Sequence, residues 1–362
     1  MSIDSLDAPP NRAARSMPAL MSACVVVVVA MVAAINLALP DLSTSDLHPT
    51  SAQLLWVVDS YILVFGCALI PAGALGDRLG RKGALLAGLA VFAAGCLASA
   101  GAPTVQFLLV ARAVTGFGAA LVMPATLSLL LQVTEPARTP QAIAVWSAAT
   151  GAAGALGNLG GGVVLQWLTW RGLFLVIGPI ALVLALVVAC LAPPGVRHDA
   201  SLDPLGTLLL TTAVLSLLLG IIEAPELGWT SPLVLASVAA TAVLVGAFVV
   251  HGIRSDTPML DPRVFTVRRL RTGTVGVGAV FFGLFALFFV NAQFLQYTKG
   301  YAPLVTGIAI LPLPVAMVIA SRRSIAVAGR LGVRTTVVGG MLLLSAGLVA
   351  FSFLDGSTPY PA

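Results

Sequence analysis

Charged side chains are scarce in this sequence, because lysine, arginine, aspartate and glutamate make up only 9% of its 362 residues. A soluble globular domain carries about 25% charged residues. Hydrophobic residues account for 59% of the chain, and the mean hydropathy is +1.03. A water-soluble core cannot bury that much apolar surface. The composition therefore excludes an ordinary soluble protein and predicts one that lies in a lipid bilayer.

Cysteine and histidine are also rare. The four cysteines lie inside apolar stretches without C-x-x-C spacing, so we expect buried hydrophobic side chains rather than disulfides or a metal site. The three histidines are dispersed, and the sequence has neither a GxxxxGK[ST] phosphate-binding loop nor an evident Ser/His/Asp grouping. We predict that the protein is not an enzyme and has no metal or cofactor.

Apolar runs of about twenty residues are abundant, and each is long enough to cross about 30 Å of hydrocarbon as a helix. The first run is too long for a signal peptide and lacks a small-x-small cleavage site. The predicted spans are residues 18–39, 53–75, 84–101, 105–131, 142–166, 172–191, 205–223, 232–252, 272–296, 304–321 and 335–354. The fold class predicted from them is an all-α integral membrane bundle of about eleven transmembrane helices.

Basic residues determine the predicted orientation. If the N-terminus is cytoplasmic, sixteen of the nineteen lysines and arginines fall on the cytoplasmic side. Arg171 and Lys299 fall outside, and Arg112 lies within a span. This is the positive-inside pattern of a multi-pass protein of the cell membrane. The net charge of +5 is spread over short loops, which argues against a nucleic-acid partner.

The stretch GALGDRLGRK, residues 73–82, gathers four charges between the second and third spans. We expect a cytoplasmic loop of about eight residues there, with glycines that permit a tight reversal. A generic basic loop explains the cations but neither the acid nor the glycines. Its residues of interest are Gly73, Asp77, Arg78, Gly80, Arg81 and Lys82.

Three ionisable residues within spans are candidates for function, because a charge inside the membrane is costly. Arg112 lies mid-span with apolar residues on either side, which disfavours snorkelling to an interface. Asp59, in LLWVVDSYILV, is either a carboxylate wetted from the outer face or a cavity carboxylate that exchanges a proton for a cation. Glu223 is either a second such site or a solvated helix end.

Two further patterns concern helix faces. In the fifth span, GAAGALGNLGGG spaces its glycines by three and four residues, which predicts close helix packing around Gly157, Asn158, Gly161 and Gly162. The ninth span carries a stripe of Phe281, Phe285, Phe288 and Phe289. The stripe faces either lipid or a neighbouring helix, or it faces a cavity where it offers cation–π contacts.

Together these stretches resemble the major facilitator superfamily, and specifically its fourteen-span drug:proton antiporter group. The resemblance rests on residues 73–82, on Arg112, on WVVDSY around Asp59, and on the stretches AINLALPDL and TWRGLFLVIGP. It implies that the loop gates the transporter, that the acids and Arg112 serve proton coupling or substrate binding, and that the fifth-span glycines form the antiport motif. The chain departs from the group at Asn158, where the motif has proline, and at Met31, where an acid is common.

A short internal sequence repeat predicts the organisation of the chain. GRLGVR at residues 329–334 repeats most of DRLGRK at 77–82, as expected for two related halves. The predicted parts are a cytoplasmic tail (1–17), a six-helix half (18–191), a loop with two inserted helices (192–252), a cytoplasmic loop (253–271), a partial second half of three helices (272–354) and a tail (355–362). About three C-terminal spans are then missing. A truncated sequence, a frameshift product and a genuinely short protein all fit.

The resemblance implies a secondary active transporter that exports lipophilic drugs, predicted to be cationic, by exchange with protons. The proton gradient drives the exchange without a cofactor, and the partners are the small-molecule substrate and the bilayer. Two alternatives stay open: an exporter of an endogenous metabolite, and a non-transporting membrane fragment.

Overall fold

The computed structural model describes residues 12–193 and 203–353. Within these ranges the chain forms twelve α-helices and no strand. They are α1 (Arg12–Ser43), α2 (Ser51–Leu79), α3 (Arg81–Ala100), α4 (Val105–Val133), α5 (Thr139–Trp167), α6 (Trp170–Leu191), α7 (Pro204–Leu227), α8 (Pro232–Arg254), α9 (Arg268–Gln293), α10 (Pro303–Ile310), α11 (Pro312–Leu331) and α12 (Val333–Phe351). Eleven stretches of these ranges are long and apolar enough to span a membrane, which confirms the predicted all-α architecture.

The tenth predicted span, residues 304–321, is confirmed as a stretch that can cross the membrane, but a break divides it between two helices. Helix α10 ends at Ile310, and α11 begins at Pro312. Pro312 has no N–H to donate to the preceding turn, so the helical hydrogen-bond ladder is interrupted there. The N–H of Leu311 donates instead to the carbonyl of Ile308 at 3.1 Å. The ninth span also differs, because α9 is followed by a π-helical turn at Phe294–Thr298.

The largest packed core lies among α1 to α6 and includes Ile35, Phe92, Leu108 and Phe174, which are all fully buried. Small residues let these helices approach closely, as expected where lipid removes the hydrophobic drive between helices. By contrast, α12 has no buried residue within its described length. The later helices meet the first six mainly along α5, where the hydroxyl of Ser321 donates to the carbonyl of Ala144 at 3.1 Å.

Arg171 contacts several segments at the end of the bundle where α1 ends and α2 begins. We call this end the far end. Its Nη1 donates to the carbonyls of Ala100 and Ala102 at 2.9 and 3.0 Å. Its Nη2 lies 3.2 Å from the Asp46 carboxylate. One side chain at the start of α6 therefore fixes the α3–α4 connection and the segment after α1.

Asp203 connects α7 with α8 and the segment after it, at the opposite end of the bundle. Its carboxylate accepts hydrogen bonds from the N–H of Gly206 at 2.8 Å and of Met259 at 3.2 Å. It also lies 2.8 Å from Nε2 of His251. Burial by itself raises the pKa of Asp203, but these hydrogen bonds outweigh it and hold the pKa below its ordinary value. The ionised carboxylate is thus part of the folded hairpin.

Replacing Asp203 by asparagine is expected to destabilise the protein at pH 7. The unfolded pKa is about 3.9, and the folded pKa is lower, so the carboxylate stabilises the fold fully above that value. This contribution is lost as the pH falls through the folded-state pKa. Melting temperatures in detergent between pH 7 and about pH 3 should therefore show a deficit that narrows on acidification. Asp256→Asn, at an exposed position, is the control; a deficit independent of pH would contradict the argument.

Candidate functional site

A cavity of about 320 Å³ lies between α1, α2, α5 and α9, towards the far end of the bundle. Its volume falls in the range of small-molecule sites. Its lining mixes apolar, aromatic and polar side chains: Val29, Val32, Ala33, Asn36, Leu37, Leu39, Pro40, Val58, Asp59, Ile62, Gly154, Asn158, Phe285, Phe288, Gln293 and Gln296. The cavity is the strongest candidate for a ligand site.

Asp59 is the carboxylate in this lining. It is the ninth residue of α2, about 12 Å along the helix axis from Ser51. The side chain is half-buried, and it makes no hydrogen bond or ion pair with the residues that the structure describes. Asp59 therefore lies in the cavity lining, and its role in binding or proton exchange stays a prediction.

Four carboxamides share the cavity with Asp59: Asn36, Asn158, Gln293 and Gln296. Asn36 uses its Nδ2 to donate to the carbonyl of Val32 at 2.9 Å. Asn158 is only 5% exposed, and within the described ranges its side chain has no hydrogen-bond partner. The cavity is therefore rich in hydrogen-bonding groups as well as apolar.

Helix α5 is held against its neighbours through glycines on either side of Asn158. A Cβ at Gly157 would collide with the backbone of Ala30 on α1, and one at Gly161 would lie 3.1 Å from Cα of Ala34. On another side, a Cβ at Gly307 of α10 would lie 2.9 Å from Cα of Leu159. Gly162 is buried as well. Helix α5 runs uninterrupted from Thr139 to Trp167 past Asn158, where the antiport motif would carry proline.

Arg112 lies fully buried in the core, outside the cavity lining. Its Nε donates to the carbonyl of Val57 at 3.0 Å, whereas Nη1 and Nη2 have no partner among the described residues. Its guanidinium carbon lies 4.5 Å from the ring centre of Tyr61 and 6.0 Å from that of Phe174. The guanidinium therefore lies near two aromatic rings and is only partly hydrogen-bonded within the described residues.

The structure does not bring Arg112 and Asp59 into contact. Val57 and Tyr61, which contact Arg112, are four residues apart and share one face of α2. Asp59 is two residues from each, about 200° around the helix, and points to the cavity. Arg112 and Asp59 therefore lie on different sides of α2.

The loop of about eight residues predicted between the second and third spans is almost entirely helical, so that expectation is wrong. Asp77 and Arg78 lie in the last turn of α2, and Arg81 lies in the first turn of α3. Only Gly80 lies between the helices, with φ 89°. Glycine adopts this φ without steric cost, so one residue is enough to reverse the chain.

Polar contacts surround this reversal. Asp77 forms an ion pair with Arg81, whose Nη1 also donates to the carbonyl of Gly73 at 3.3 Å. Lys82 donates to the carbonyls of Ala189 and Ala192 at the end of α6, at 2.8 and 2.7 Å. The side chain of Arg78 is exposed.

The two copies of the internal sequence repeat, at residues 77–82 and 329–334, also share a backbone conformation. Helix α11 ends at Leu331, and α12 begins at Val333. Gly332 lies between them with φ 83° and ψ 151°, close to the 89° and 134° of Gly80. Two helix–glycine–helix reversals of the same kind therefore occur in the described part of the chain.

Comparison with known proteins now identifies the family. Residues 21–362 match the family model described as the Major Facilitator Superfamily. The chain belongs to the major facilitator superfamily. This confirms the assignment suggested by the sequence stretches, and it places the protein among multi-pass membrane transporters rather than enzymes.

Two curated relatives of this major facilitator protein carry names from drug resistance. The chain is 33% identical over 324 residues to the multidrug resistance protein Stp of Mycobacterium tuberculosis, covering 89% of this chain and 60% of Stp. It is 34% identical over 315 residues to the multidrug efflux pump LfrA of Mycolicibacterium smegmatis, covering 86% of this chain and 62% of LfrA. The chain thus spans about 60% of the length of these relatives.

Solved structures support the same fold. A crystal structure of the peptide transporter POT in complex with sulfate superposes with a TM-score of 0.58. It shares 17% sequence identity, and the match covers 88% of this chain and 69% of that transporter. At this identity the likeness concerns the fold alone.

The remaining predicted residues of this major facilitator protein divide between the cavity and its surroundings. Glu223 is half-buried on α7 and does not line the cavity, so its role stays a prediction. Phe285 and Phe288 do line it, which matches the cavity interpretation for these two rings. Phe281 stacks on Phe285 with ring centres 6.2 Å apart. The side chain of Phe289 lies outside the described part of the structure.

Sequence reasoning missed two of the cavity carboxamides, Gln293 and Gln296, as site residues. Gln293 and Gln296 belong to FVNAQFLQY, where several polar residues interrupt the end of an apolar run. Polar residues inside a span are functional candidates by default. That interruption was the signal from which the two glutamines were predictable.

Proposed function

We propose that this major facilitator protein exports lipophilic cations in exchange for protons, with Asp59 as the group that binds either one. The observation that carries this proposal is a half-buried carboxylate without a partner in the described structure, lining a cavity that also contains phenyl rings. The names of Stp and LfrA support a drug-like substrate.

The chemistry of exchange follows from a single carboxylate. A bound cation favours the ionised form, and a proton on the same oxygen removes the attraction for the cation. Phe285 and Phe288 add apolar contact and a negatively polarised ring face for the cation. The cavity therefore holds the substrate or the proton in turn, which is the requirement for antiport.

Access to the cavity is proposed to alternate between the two membrane faces. Gly73, Asp77, Arg78, Gly80 and Arg81 would gate the inner mouth, with the N-terminus in the cytoplasm and the bundle in the cell membrane. The distribution of basic residues supports this orientation. The ion pair of Asp77 and Arg81 supplies a contact that can break and reform during the cycle.

The division into a six-helix half (18–191), an inserted pair (192–252) and a partial second half (272–354) is part of the same proposal. The similar reversals at Gly80 and Gly332 support related halves. The packing of α7 and α8 as a hairpin supports an inserted pair.

Replacing Asp59 by asparagine is expected to remove the dependence of transport on the pH gradient. Asparagine keeps the shape of the side chain but cannot carry the exchanged proton or the negative charge. Efflux of a fluorescent lipophilic cation from energised vesicles, with and without an imposed pH gradient, measures this. We expect gradient-driven efflux to fall at least about fivefold, consistent with loss of a group that binds the transported charge.

Glu226→Gln is the matched control, because this exposed acid lies on α7 and not in the cavity lining. Efflux that responds to neither the gradient nor Asp59→Asn would refute proton coupling at this site. Binding of the cation without efflux would favour the non-transporting alternative. Transport of metabolites but of no drug-like cation would favour the metabolite exporter.

A further inference from the structure

The cavity holds more hydrogen-bonding groups than the recognition of a lipophilic cation requires. Charge recognition needs only Asp59, and apolar contact needs only the aliphatic and phenyl side chains. Asn36, Asn158, Gln293 and Gln296 add carboxamides to the same lining. A substrate that displaces water from them must replace those hydrogen bonds, because a buried polar group left unpaired costs about 1–3 kcal/mol.

Asn158 is the most constrained of these side chains. It is only 5% exposed, and its carboxamide makes no hydrogen bond with the described residues. Asparagine is a poor residue for a helix interior and is costly inside a membrane span. Helix propensity does not explain it, whereas its position in the cavity lining does.

The backbone around Asn158 cannot readily move away from a ligand. Gly157 lies against Ala30 on α1, and Gly307 of α10 lies against Leu159. These contacts hold α5 against α1 and α10 on either side of Asn158. A preorganised polar group discriminates strongly between a ligand that hydrogen-bonds and an analogue that does not.

We propose that Asn158 makes the cavity selective for cations that carry hydrogen-bonding groups, such as protonated amines, over fully alkylated onium ions with the same aromatic group. This inference rests on the proposed function for the identity of the site, and it adds the substrate class. An alkylated onium ion satisfies Asp59 and the phenyl rings, but it leaves the Asn158 carboxamide unpaired. A protonated amine has N–H groups that can donate both to the Asp59 carboxylate and to Oδ1 of Asn158.

The test compares two probes that differ only at nitrogen: 2-(1-naphthyl)ethylamine and its N,N,N-trimethyl derivative. Equilibrium binding of each is measured on the purified full chain in lipid nanodiscs, without a proton gradient. We expect the wild-type protein to bind the primary amine at least about tenfold more tightly. Asn158→Leu, which removes the carboxamide at similar volume, should reduce that preference to about threefold or less.

Asn158→Ala provides a second variant without the carboxamide, should leucine perturb the packing of α5. Thr150→Val is the matched control, since Thr150 is a buried polar residue of the same helix outside the cavity lining. It should leave the preference unchanged. An equal affinity for the two probes, a preference retained in both Asn158 variants, or no binding of either probe would overturn the inference.

Failure of this inference is distinguishable from failure of the proposed function. Loss of gradient-driven efflux with the binding preference intact would remove proton exchange and leave the selectivity of the cavity. Normal coupled efflux with no preference for the amine would remove the role of Asn158 and leave the transport proposal.

Discussion

Replacement of Gly157 by alanine is expected to destabilise the protein strongly and to abolish ligand binding in the cavity. A Cβ at this position would lie 2.8 Å from both Cα and the carbonyl carbon of Ala30, and closer still to its oxygen. These are backbone atoms, so no rotamer change relieves the overlap, and α1 and α5 must separate. Overpacking of this kind costs about 1–3 kcal/mol, and we expect the upper end. Thermal unfolding in detergent measures the loss.

Gly160 on the same helix provides the matched control. A Cβ there would meet nothing within 4 Å, and the position is exposed. Gly160→Ala should therefore be neutral or stabilise the helix by up to about 1 kcal/mol. If the two variants unfold at the same temperature, the close approach of α1 and α5 at Gly157 is not what holds these helices together.

Replacement of Arg112 by methionine is expected to abolish transport without loss of stability. The guanidinium is fully buried, and in the described structure only its Nε has a hydrogen-bond acceptor. A buried cation without full compensation destabilises the fold, and an apolar side chain of similar size is often neutral or better. A costly charge retained inside a membrane is by default functional. We expect transport to fall at least about tenfold, while the melting temperature is unchanged or higher.

Arg138→Met controls for loss of an arginine at an exposed position, where the side chain is 72% exposed. That variant should keep both transport and stability. A parallel drop in the melting temperature and transport of Arg112→Met would instead assign Arg112 a structural role, as a residue that fixes α4 against Val57 of α2.

The relation between sequence and structure differs from one motif to another. Residues 73–82 were predicted to hold a loop between two spans, whereas they form the end of α2 and the start of α3. Their helical character was not predicted, because glycines and charges in the sequence are equally typical of a loop. The single residue Gly80, with its positive φ, makes the reversal. Similarly, Pro312 was visible in the sequence, yet the break between α10 and α11 was not predicted, because proline is tolerated within membrane helices.

Asp59 and Arg112 show the limit of sequence reasoning about a site. Both were identified because a charge in an apolar run is conspicuous. Their positions on different sides of α2 were not predicted, since Val57 and Tyr61 face Arg112 whereas Asp59 faces the cavity. Asn158 was interpreted as part of a packing motif, and only the tertiary structure places it in the cavity lining.

The sequence by itself determined the number of membrane spans, the resemblance to the family and the list of costly intramembrane charges. Each of these depends on local composition, because run length and the cost of a charge in lipid need no knowledge of neighbouring helices. The tertiary structure alone decided which polar side chains converge on one cavity. Convergence depends on the rotation of each helix about its axis and on contacts between residues far apart in the chain, and local sequence encodes neither.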